Sequence, residues 1–171
     1  MAGMAHLASS GALAFLDRRG IAYTYHSHPP VFTVEESLRL VPELPGAKTK
    51  NLFLRNRKGT RHLLLITSHD KRVNLDALSA AVGINGLSFA SPERLLKHLG
   101  VPPGAVSLLA LVNDEPNSVE VVVDAAVWNA EAVQCHPLDN GATVVIPRDD
   151  VRRFVEATGH SARVIDVPVS P

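Results

Sequence analysis

The sequence has little that would tie the protein to a membrane, an oxidising compartment or a strongly charged partner. Its one cysteine, Cys135, cannot form an internal disulfide, which favours a reducing compartment. No stretch approaches the roughly 20 apolar residues that cross a bilayer, and the N-terminal segment lacks the basic stretch and long apolar run of a signal peptide. Lys plus Arg balance Asp plus Glu, 17 against 17, so the global basic field common in nucleic-acid-binding proteins is missing. We therefore expect a cytoplasmic protein with no membrane partner.

What the sequence does contain is ordinary globular composition. Of its 171 residues, 46% are hydrophobic and 20% are charged, which suits one domain with a proper core. We expect that domain to span residues 1–171. A local basic cluster could still contact phosphates despite the neutral total. Its members are Lys48, Lys50, Arg55, Arg57, Lys58 and Arg61.

Capping residues, apolar spacing and β-branched runs predict where helices and strands lie. Helices are expected at 9–19, from Thr33 to near Pro42, from Asn74 to about Val82, from Ser91 to Gly100, and from Pro147 to about Ala157. Strands are expected at 21–26, 51–55, 61–67, 107–112, 119–123, 133–136, 142–146 and 163–167. Because strand pairs are interspersed with helices, the predicted fold class is mixed α/β, with a largely antiparallel central sheet and flanking helices.

The standard catalytic and ligand-binding motifs are missing. The sequence has no GxxxxGK[ST] phosphate loop, no GxGxxG after a strand and no HExxH helix. His26 and His28 form the closest candidate metal pair, because alternate residues of a strand share a face. No further Cys, Asp or Glu cluster completes a tetrahedral site, so we predict neither a metal nor a cofactor.

Two short segments contain the residue types of nucleophilic sites, but in an unsuitable arrangement. Ser68, His69 and Asp70 are adjacent, and adjacent side chains cannot form the spatial relay of a catalytic triad. We interpret this segment as a turn after a strand. Cys135 and His136 are neighbours on a predicted strand, so their side chains point to opposite faces. We expect Cys135 to be a small, half-buried residue.

Three segments resemble the YbaK and prolyl-tRNA synthetase insertion-domain superfamily of aminoacyl-tRNA deacylases. AKTKNLFL at 47–54 is similar to the family's lysine-bearing strand, GVPPGAVSL at 100–108 to its glycine-containing loop, and CHPLDNGAT at 135–143 to its H-P-L-x-N-x-A-T signature. HPPVFT at 28–33, the opening helix and the tail at 150–167 also fit. The resemblance covers nearly the whole chain in order, and the third signature and the tail are most similar to the free-standing Ala-tRNA(Pro) deacylases.

The resemblance implies a single YbaK-like domain that hydrolyses the ester joining an amino acid to the terminal adenosine of tRNA. The implied substrate is mischarged Ala-tRNA(Pro), and the implied partners are the acceptor end of that tRNA and prolyl-tRNA synthetase. The family is thought to use no protein nucleophile, since a ribose hydroxyl of the substrate helps to activate the water. Charge builds on the carbonyl oxygen in this reaction, so fixed donors there help most.

The resemblance also implies a role for each matched position. Lys50 would hold the terminal phosphate or ribose, where a flexible point charge suits an anion. Gly104 would let the backbone approach the ester closely, since it has no Cβ, and His136 would shape the amino-acid pocket. These three are the expected catalytic residues, although Leu108 stands where the family usually has a loop proline. The expected substrate-binding residues are Phe32, Thr33, Asn51, Ala105, Val106 and Ser107.

Three alternatives stay open at this point. The first is a deacylase of the same fold for another acyl group, namely Ser, Thr or Cys. The second is a catalytically inactive binding module associated with a tRNA synthetase. The third is an unrelated small-molecule enzyme, which would need the metal or nucleophile that the sequence lacks. If the substrate is Ala-tRNA(Pro), as the resemblance implies, a pocket of alanine size would exclude the larger proline ring by steric clash.

Overall fold

The helices and strands are those of a computed structural model of the protein, which describes residues 9–114 and 116–171. Residues 1–8, part of the segment considered above for a signal peptide, lie outside the described residues. The helices are α1 (Ser9–Arg18), α2 (Val34–Leu40), α3 (Leu75–Val82), α4 (Pro92–Leu99), α5 (Ala125–Trp128) and α6 (Arg148–Ala157), with a 3₁₀ helix at Leu108–Asn113. The strands are β1 (Thr24–Ser27), β2 (Thr49–Arg55), β3 (His62–Ser68), β4 (Ser88–Phe89), β5 (Val119–Asp124), β6 (Ala132–Cys135), β7 (Ala142–Pro147) and β8 (Ala162–Ile165). None of the described helices is long and apolar enough to cross a bilayer.

The strands form two sheets rather than one central sheet. The smaller sheet has the order β1-β7-β6 and is antiparallel throughout. The larger sheet has the order β4-β2-β3-β5-β8, in which β2 pairs antiparallel with β3 and β4, whereas β5 runs parallel to β3 and β8. The predicted mixed α/β class with mainly antiparallel pairing is confirmed.

Side-chain caps determine where the central helices begin, as the sequence predicts. Asn74 Oδ1 accepts a hydrogen bond from the Ala77 N–H at 3.0 Å, and Ser91 Oγ accepts one from the Arg94 N–H at 3.2 Å. Such caps satisfy backbone donors that the first helical turn leaves unpaired. Both helices end at glycines with positive φ, 71° at Gly83 and 67° at Gly100, which is the usual left-handed helix end.

The strand predicted at 107–112 is wrong, because this segment is the 3₁₀ helix. Ser107 Oγ accepts a hydrogen bond from the Leu109 N–H at 3.1 Å, and the Ala110 N–H donates to the Ser107 carbonyl at 3.0 Å. Leu108, Leu109, Ala110 and Leu111 are all buried. A short run of apolar residues that is buried on every side has no period that would separate a strand from a helix.

The segment before β2 joins the two sheets and thereby positions the start of that strand. The Ala47 N–H donates to the Ala132 carbonyl at 2.8 Å, and the Gln134 N–H donates to the Ala47 carbonyl at 3.0 Å. Thr49 Oγ1 donates to the Gln134 carbonyl at 2.6 Å. The beginning of β2 is therefore held against β6, and a cleft lies where the two sheets meet.

Candidate active site

The cleft has a volume of about 200 Å³ and is formed by segments from both sheets and two loops. The start of β2, the end of β6 and one residue of β7 supply much of its walls. The loops at 31–33 and 104–106, one residue of α2 and one residue of the turn after β3 also line it. Its lining residues are Val31, Phe32, Thr33, Ser37, Lys48, Thr49, Lys50, Asn51, His69, Gly104, Val106, Gln134, Cys135, His136 and Thr143.

Seven of the nine residues expected at the site line this cleft, and two do not. The seven are Phe32, Thr33, Lys50, Asn51, Gly104, Val106 and His136. Ala105 is only 6% exposed and packs in the core, and the buried Ser107 hydroxyl caps the 3₁₀ helix. The side chains of these two residues point into the protein and do not line the cleft, so their substrate-binding role stays a prediction. Leu108, the departure from the family loop, is likewise buried in the core and does not line the cleft.

Lys50 is half-buried in the cleft and lies near one carboxylate without pairing with it. It stands opposite Thr67 in the β2–β3 register. Its ammonium group forms no ion pair with a carboxylate of the described residues. Burial is the largest influence on the pKa of Lys50 and lowers it. The negative charge of the nearby Asp70 acts in the opposite direction and raises the pKa of Lys50. A cation that has lost part of its water and has no partner is well suited to bind an anionic group of a ligand.

His136 is held as a neutral ring at the end of β6. Its Nδ1 lies 3.4 Å from the Ala142 carbonyl oxygen. Because a carbonyl can only accept, Nδ1 carries the proton and Nε2 is left as an acceptor. Burial lowers the pKa of His136, and His28 lowers it further, while the bond to Ala142 acts in the opposite direction. The ring therefore offers a hydrogen-bond acceptor at neutral pH.

Gly104 lies in a tight turn whose backbone conformation favours glycine. Its φ is +93°, and the Ala105 N–H donates to the Pro102 carbonyl at 3.2 Å across the turn. A Cβ on Gly104 would meet only Phe32 Cδ1, at 3.9 Å, which is ordinary contact. Glycine is therefore favoured at position 104 by the positive φ, and not because a side chain would clash with neighbouring residues. The backbone of Gly104 lines the cleft without a side chain to cover it.

Phe32 and Thr33 lie at the beginning of α2, at the edge of the cleft. Thr33 caps this helix as part of a capping box with Glu36, since Thr33 Oγ1 accepts from the Glu36 N–H at 3.0 Å. The Glu36 carboxylate reaches the Phe32 N–H at 3.3 Å, one residue before the position that the motif predicts. Phe32 is 71% exposed, so it is neither a core aromatic nor an enclosed wall of an acyl pocket.

Thr143 and His69 are polar residues of the cleft that the sequence does not predict as site residues. His28 Nδ1 lies 2.9 Å from the Pro29 carbonyl, so it donates there, and His28 Nε2 accepts from Thr143 Oγ1 at 2.8 Å. Asn51 Oδ1 and His69 Nδ1 are buried without a hydrogen-bond partner among the described residues, which is unusual for buried polar atoms. Thr143 belongs to the third resemblance segment, which could have indicated its place; His69 has no comparable signal.

The geometry disfavours thiol chemistry and a serine relay at this cleft. Cys135 lies at the cleft wall but is only 4% exposed, so the expected half-buried position is wrong, and burial raises the pKa of its thiol to about 12. No nucleophilic thiolate therefore forms at neutral pH. Ser68 Oγ donates to Asp70 Oδ1 at 2.6 Å within a turn, as the sequence predicts, rather than to His69. Within residues 9–114 and 116–171, no group of three or more His, Cys, Asp or Glu side chains is arranged to hold a metal ion.

The basic cluster expected from the sequence is divided between two ends of the β2–β3 hairpin. Lys48 and Lys50 line the cleft. Arg55 lies five residues further along β2, about 17 Å away at about 3.4 Å per residue, and Arg61 is paired with both carboxylate oxygens of Glu120 at 2.7 and 2.9 Å. Only the two lysines at the start of the hairpin are placed to contact a ligand in the cleft.

Comparison with known proteins identifies the family. The family model of the aminoacyl-tRNA editing domain matches residues 28–154. The chain belongs to this family. As an aminoacyl-tRNA editing domain it is an aminoacyl-tRNA deacylase, as the resemblance of its three segments implies.

Individual relatives are similar to this chain over most of its length. The chain is 39% identical over 160 residues to the prolyl-tRNA editing protein ProX of Acetoanaerobium sticklandii. The aligned region covers 94% of this chain and 98% of that protein. The chain is also 39% identical to the prolyl-tRNA synthetase associated domain-containing protein 1 of Danio rerio, over 88% of this chain and 83% of the relative. The crystal structure of a proposed trans-editing enzyme for prolyl-tRNA synthetase has the same fold, with a TM-score of 0.70, 21% identity and coverage of 95% and 98%.

Proposed function

We propose that this editing domain is a free-standing deacylase that hydrolyses the ester of mischarged Ala-tRNA(Pro). The observation that carries the proposal is the meeting of Lys50, Gly104 and His136 in one small cleft. The similarity to a prolyl-tRNA editing protein along 98% of that protein's length supports a tRNA(Pro) substrate. Prolyl-tRNA synthetase is the proposed partner, in keeping with the name of the Danio rerio relative. A cytoplasmic location is proposed with it.

In the proposed reaction, the chain's own residues bind and orient the substrate. The Lys50 ammonium, which forms no ion pair with the described residues, binds the phosphate or ribose of the terminal nucleotide. His136 Nε2, the acceptor side of a neutral ring, accepts a hydrogen bond from the substrate's α-ammonium group. The bare backbone of Gly104 allows the ester to lie close to the loop.

The chemical step needs no protein nucleophile. A water oxygen attacks the ester carbonyl carbon, and a ribose hydroxyl of the substrate helps to take up the water's proton. The bond between the carbonyl carbon and the ribose oxygen then breaks, and that oxygen leaves as a hydroxyl with the proton. The products are the free amino acid and the uncharged tRNA. The buried, protonated Cys135 and the Ser68–Asp70 hydrogen bond support a mechanism without a thiol or serine nucleophile.

The alanine acyl group follows from the resemblance to the free-standing Ala-tRNA(Pro) deacylases. A volume of about 200 Å³ has to hold the acyl group together with part of the terminal ribose. A rigid pocket can exclude a larger ring by clash, although it rewards one methyl group by only about 1–3 kcal/mol. In the proposed reaction a small acyl group is admitted and the proline ring is rejected. Serine and cysteine have similar size, so they are the acyl groups that the test has to include.

The test compares Lys50→Ala with a matched lysine variant at the far end of the same hairpin, Lys58→Ala. Both changes remove one positive charge, and Lys58 is exposed in the turn and does not line the cleft. Under single-turnover conditions with Ala-tRNA(Pro), we expect Lys50→Ala to lose at least two orders of magnitude in rate and Lys58→Ala to stay close to wild type. Equal rates for the two variants would contradict the site. No hydrolysis by the wild type would contradict the alanine substrate.

A further inference from the structure

Phe32 is a large aromatic residue that lines the cleft and yet remains mostly in water. Its side chain is 71% exposed, whereas the preceding Val31 is only 4% exposed. Among the described residues that line the cleft, Phe32 is the only Phe, Tyr or Trp. An exposed ring contributes little to the core, so its burial does not explain why it stands there.

The backbone on both sides of Phe32 is fixed. The Val31 N–H donates to the Asn140 carbonyl at 3.1 Å, and Asn140 Nδ2 donates to the Val31 carbonyl at 3.0 Å. The Phe32 N–H donates to Glu36 Oε1 at 3.3 Å, and Thr33 caps α2. Phe32 Cδ1 lies 3.9 Å from the position that a Cβ on Gly104 would take. The fixed backbone thus places the Phe32 side chain beside the glycine loop.

A flat apolar face in the same cleft as two lysines suits the end of a single-stranded nucleic acid. Unpaired bases are commonly bound by stacking on aromatic side chains, with cationic groups along the phosphates. Lys48 and Lys50 line the same cleft as Phe32. The substrate of the proposed function ends in an unpaired adenosine whose ribose carries the acyl group, so its base has to lie within a few ångströms of the reacting ester.

We infer that Phe32 is a stacking platform for the base of the 3′-terminal nucleotide of the tRNA, and not a wall of the acyl pocket. The inference rests on the proposed function for the identity of the ligand. Its geometric basis is independent of the acyl group: an exposed ring, fixed backbone and neighbouring cations at one cleft. Phe32 binds the substrate by this contact, and Lys50 and His136 keep the roles proposed above.

The experiment uses a non-hydrolysable amide, 3′-alanylamino-3′-deoxyadenosine, and its uridine counterpart as probes. Affinities of the full chain are measured by calorimetry. The wild type should bind the adenosine probe more tightly, since purines stack more strongly than pyrimidines. Phe32→Leu should weaken the adenosine probe roughly tenfold and largely remove the preference between bases, because stacking contributes about 1–3 kcal/mol per base. Phe32→Trp should keep both affinity and preference. Leu38→Ala, which removes an exposed apolar side chain of α2 outside the cleft, should change neither.

Two results would overturn the inference. The first is an unchanged base preference in Phe32→Leu. The second is a new ability of Phe32→Leu to hydrolyse Pro-tRNA(Pro) with no loss of base preference, which would make Phe32 a wall of the acyl pocket. The proposed function fails separately: a wild type that binds the probes with base preference but does not deacylate Ala-tRNA(Pro) would keep the stacking contact and remove the assigned reaction.

Discussion

Gly46 offers a sharp test of how the cleft is assembled, because a single added methyl group would meet backbone there. Its φ is +92°, and a Cβ at this position would lie 2.7 Å from the Ala132 carbonyl oxygen and 2.8 Å from the carbonyl carbon. Real Cβ atoms do not approach backbone this closely, so Gly46→Ala has to push the segment before β2 away from β6. That segment leads directly to Lys50.

The magnitude follows from two contributions. A non-glycine residue at positive φ costs about 1 kcal/mol. Displacement also weakens the hydrogen bonds that join Ala47 to Ala132 and Gln134, and each contributes about 1 kcal/mol. We therefore expect Gly46→Ala to lower the free energy of unfolding by about 3 kcal/mol. Gly83→Ala is the control, because its φ of +71° carries the same strain while its Cβ would meet nothing within 4 Å.

The assay is urea unfolding of both variants, with deacylation measured at a temperature where both are folded. Gly83→Ala should lose about 1 kcal/mol and keep its activity. Gly46→Ala should lose more stability and also activity, because Thr49, Lys50 and Asn51 move with the displaced segment. If Gly46→Ala were no less stable than Gly83→Ala, the contact between this segment and β6 would not be holding the cleft together.

Three further predictions concern pH, the thiol and the 3₁₀ cap. Burial, together with His98 and nearby cations, lowers the pKa of His62 to about 4 from its ordinary 6.5. As the pH falls, the His62 ring is therefore protonated in the unfolded chain before it is protonated in the folded protein. The free energy of unfolding should fall as the pH drops from about 6.5 towards 4. His62→Gln, which can still accept from Arg94, should make this fall shallower in urea titrations, and an unchanged slope would exclude His62 as its source. Cys135 should resist iodoacetamide in the folded protein at pH 8 and react only in denaturant, with deacylation unaffected; rapid modification with loss of activity would contradict its burial. Ser107→Ala should lower stability by about 1 kcal/mol through loss of the cap without changing which acyl groups are hydrolysed, and a changed acyl preference would return Ser107 to the substrate site.

Local signals in the sequence predict much of the fold. Thr33, Asn74 and Ser91 cap the helices that they were expected to cap. Each side chain accepts a hydrogen bond from the N–H three residues later, so the cap depends only on the local sequence. The run at 107–112 could not be predicted in this way, because burial on all sides removes its periodicity. The division of the strands into two sheets depends on contacts between residues far apart, such as Ala47 with Ala132.

The cleft is predicted only in part, for a related reason. Lys50, Gly104 and His136, which the resemblance indicates because each lies within a continuous motif, line one cleft. The resemblance gave no direction for individual side chains, so Ala105 and Ser107 were expected to face the ligand although they point into the core. The exposure of Phe32 and the position of His69 depend on how loops fold over the cleft, which no local pattern specifies.

The measurement that tests the central claim most directly is the ratio of wild-type deacylation rates for Ala-tRNA(Pro) and Pro-tRNA(Pro), with Ser- and Cys-charged tRNA(Pro) beside them. The proposed alanine specificity predicts fast loss of alanine and negligible loss of proline. Hydrolysis of Pro-tRNA(Pro) at a rate comparable to that of Ala-tRNA(Pro) would contradict an editing role. Hydrolysis confined to Ser- or Cys-tRNA would contradict the alanine assignment and leave a deacylase of the same family with another acyl group.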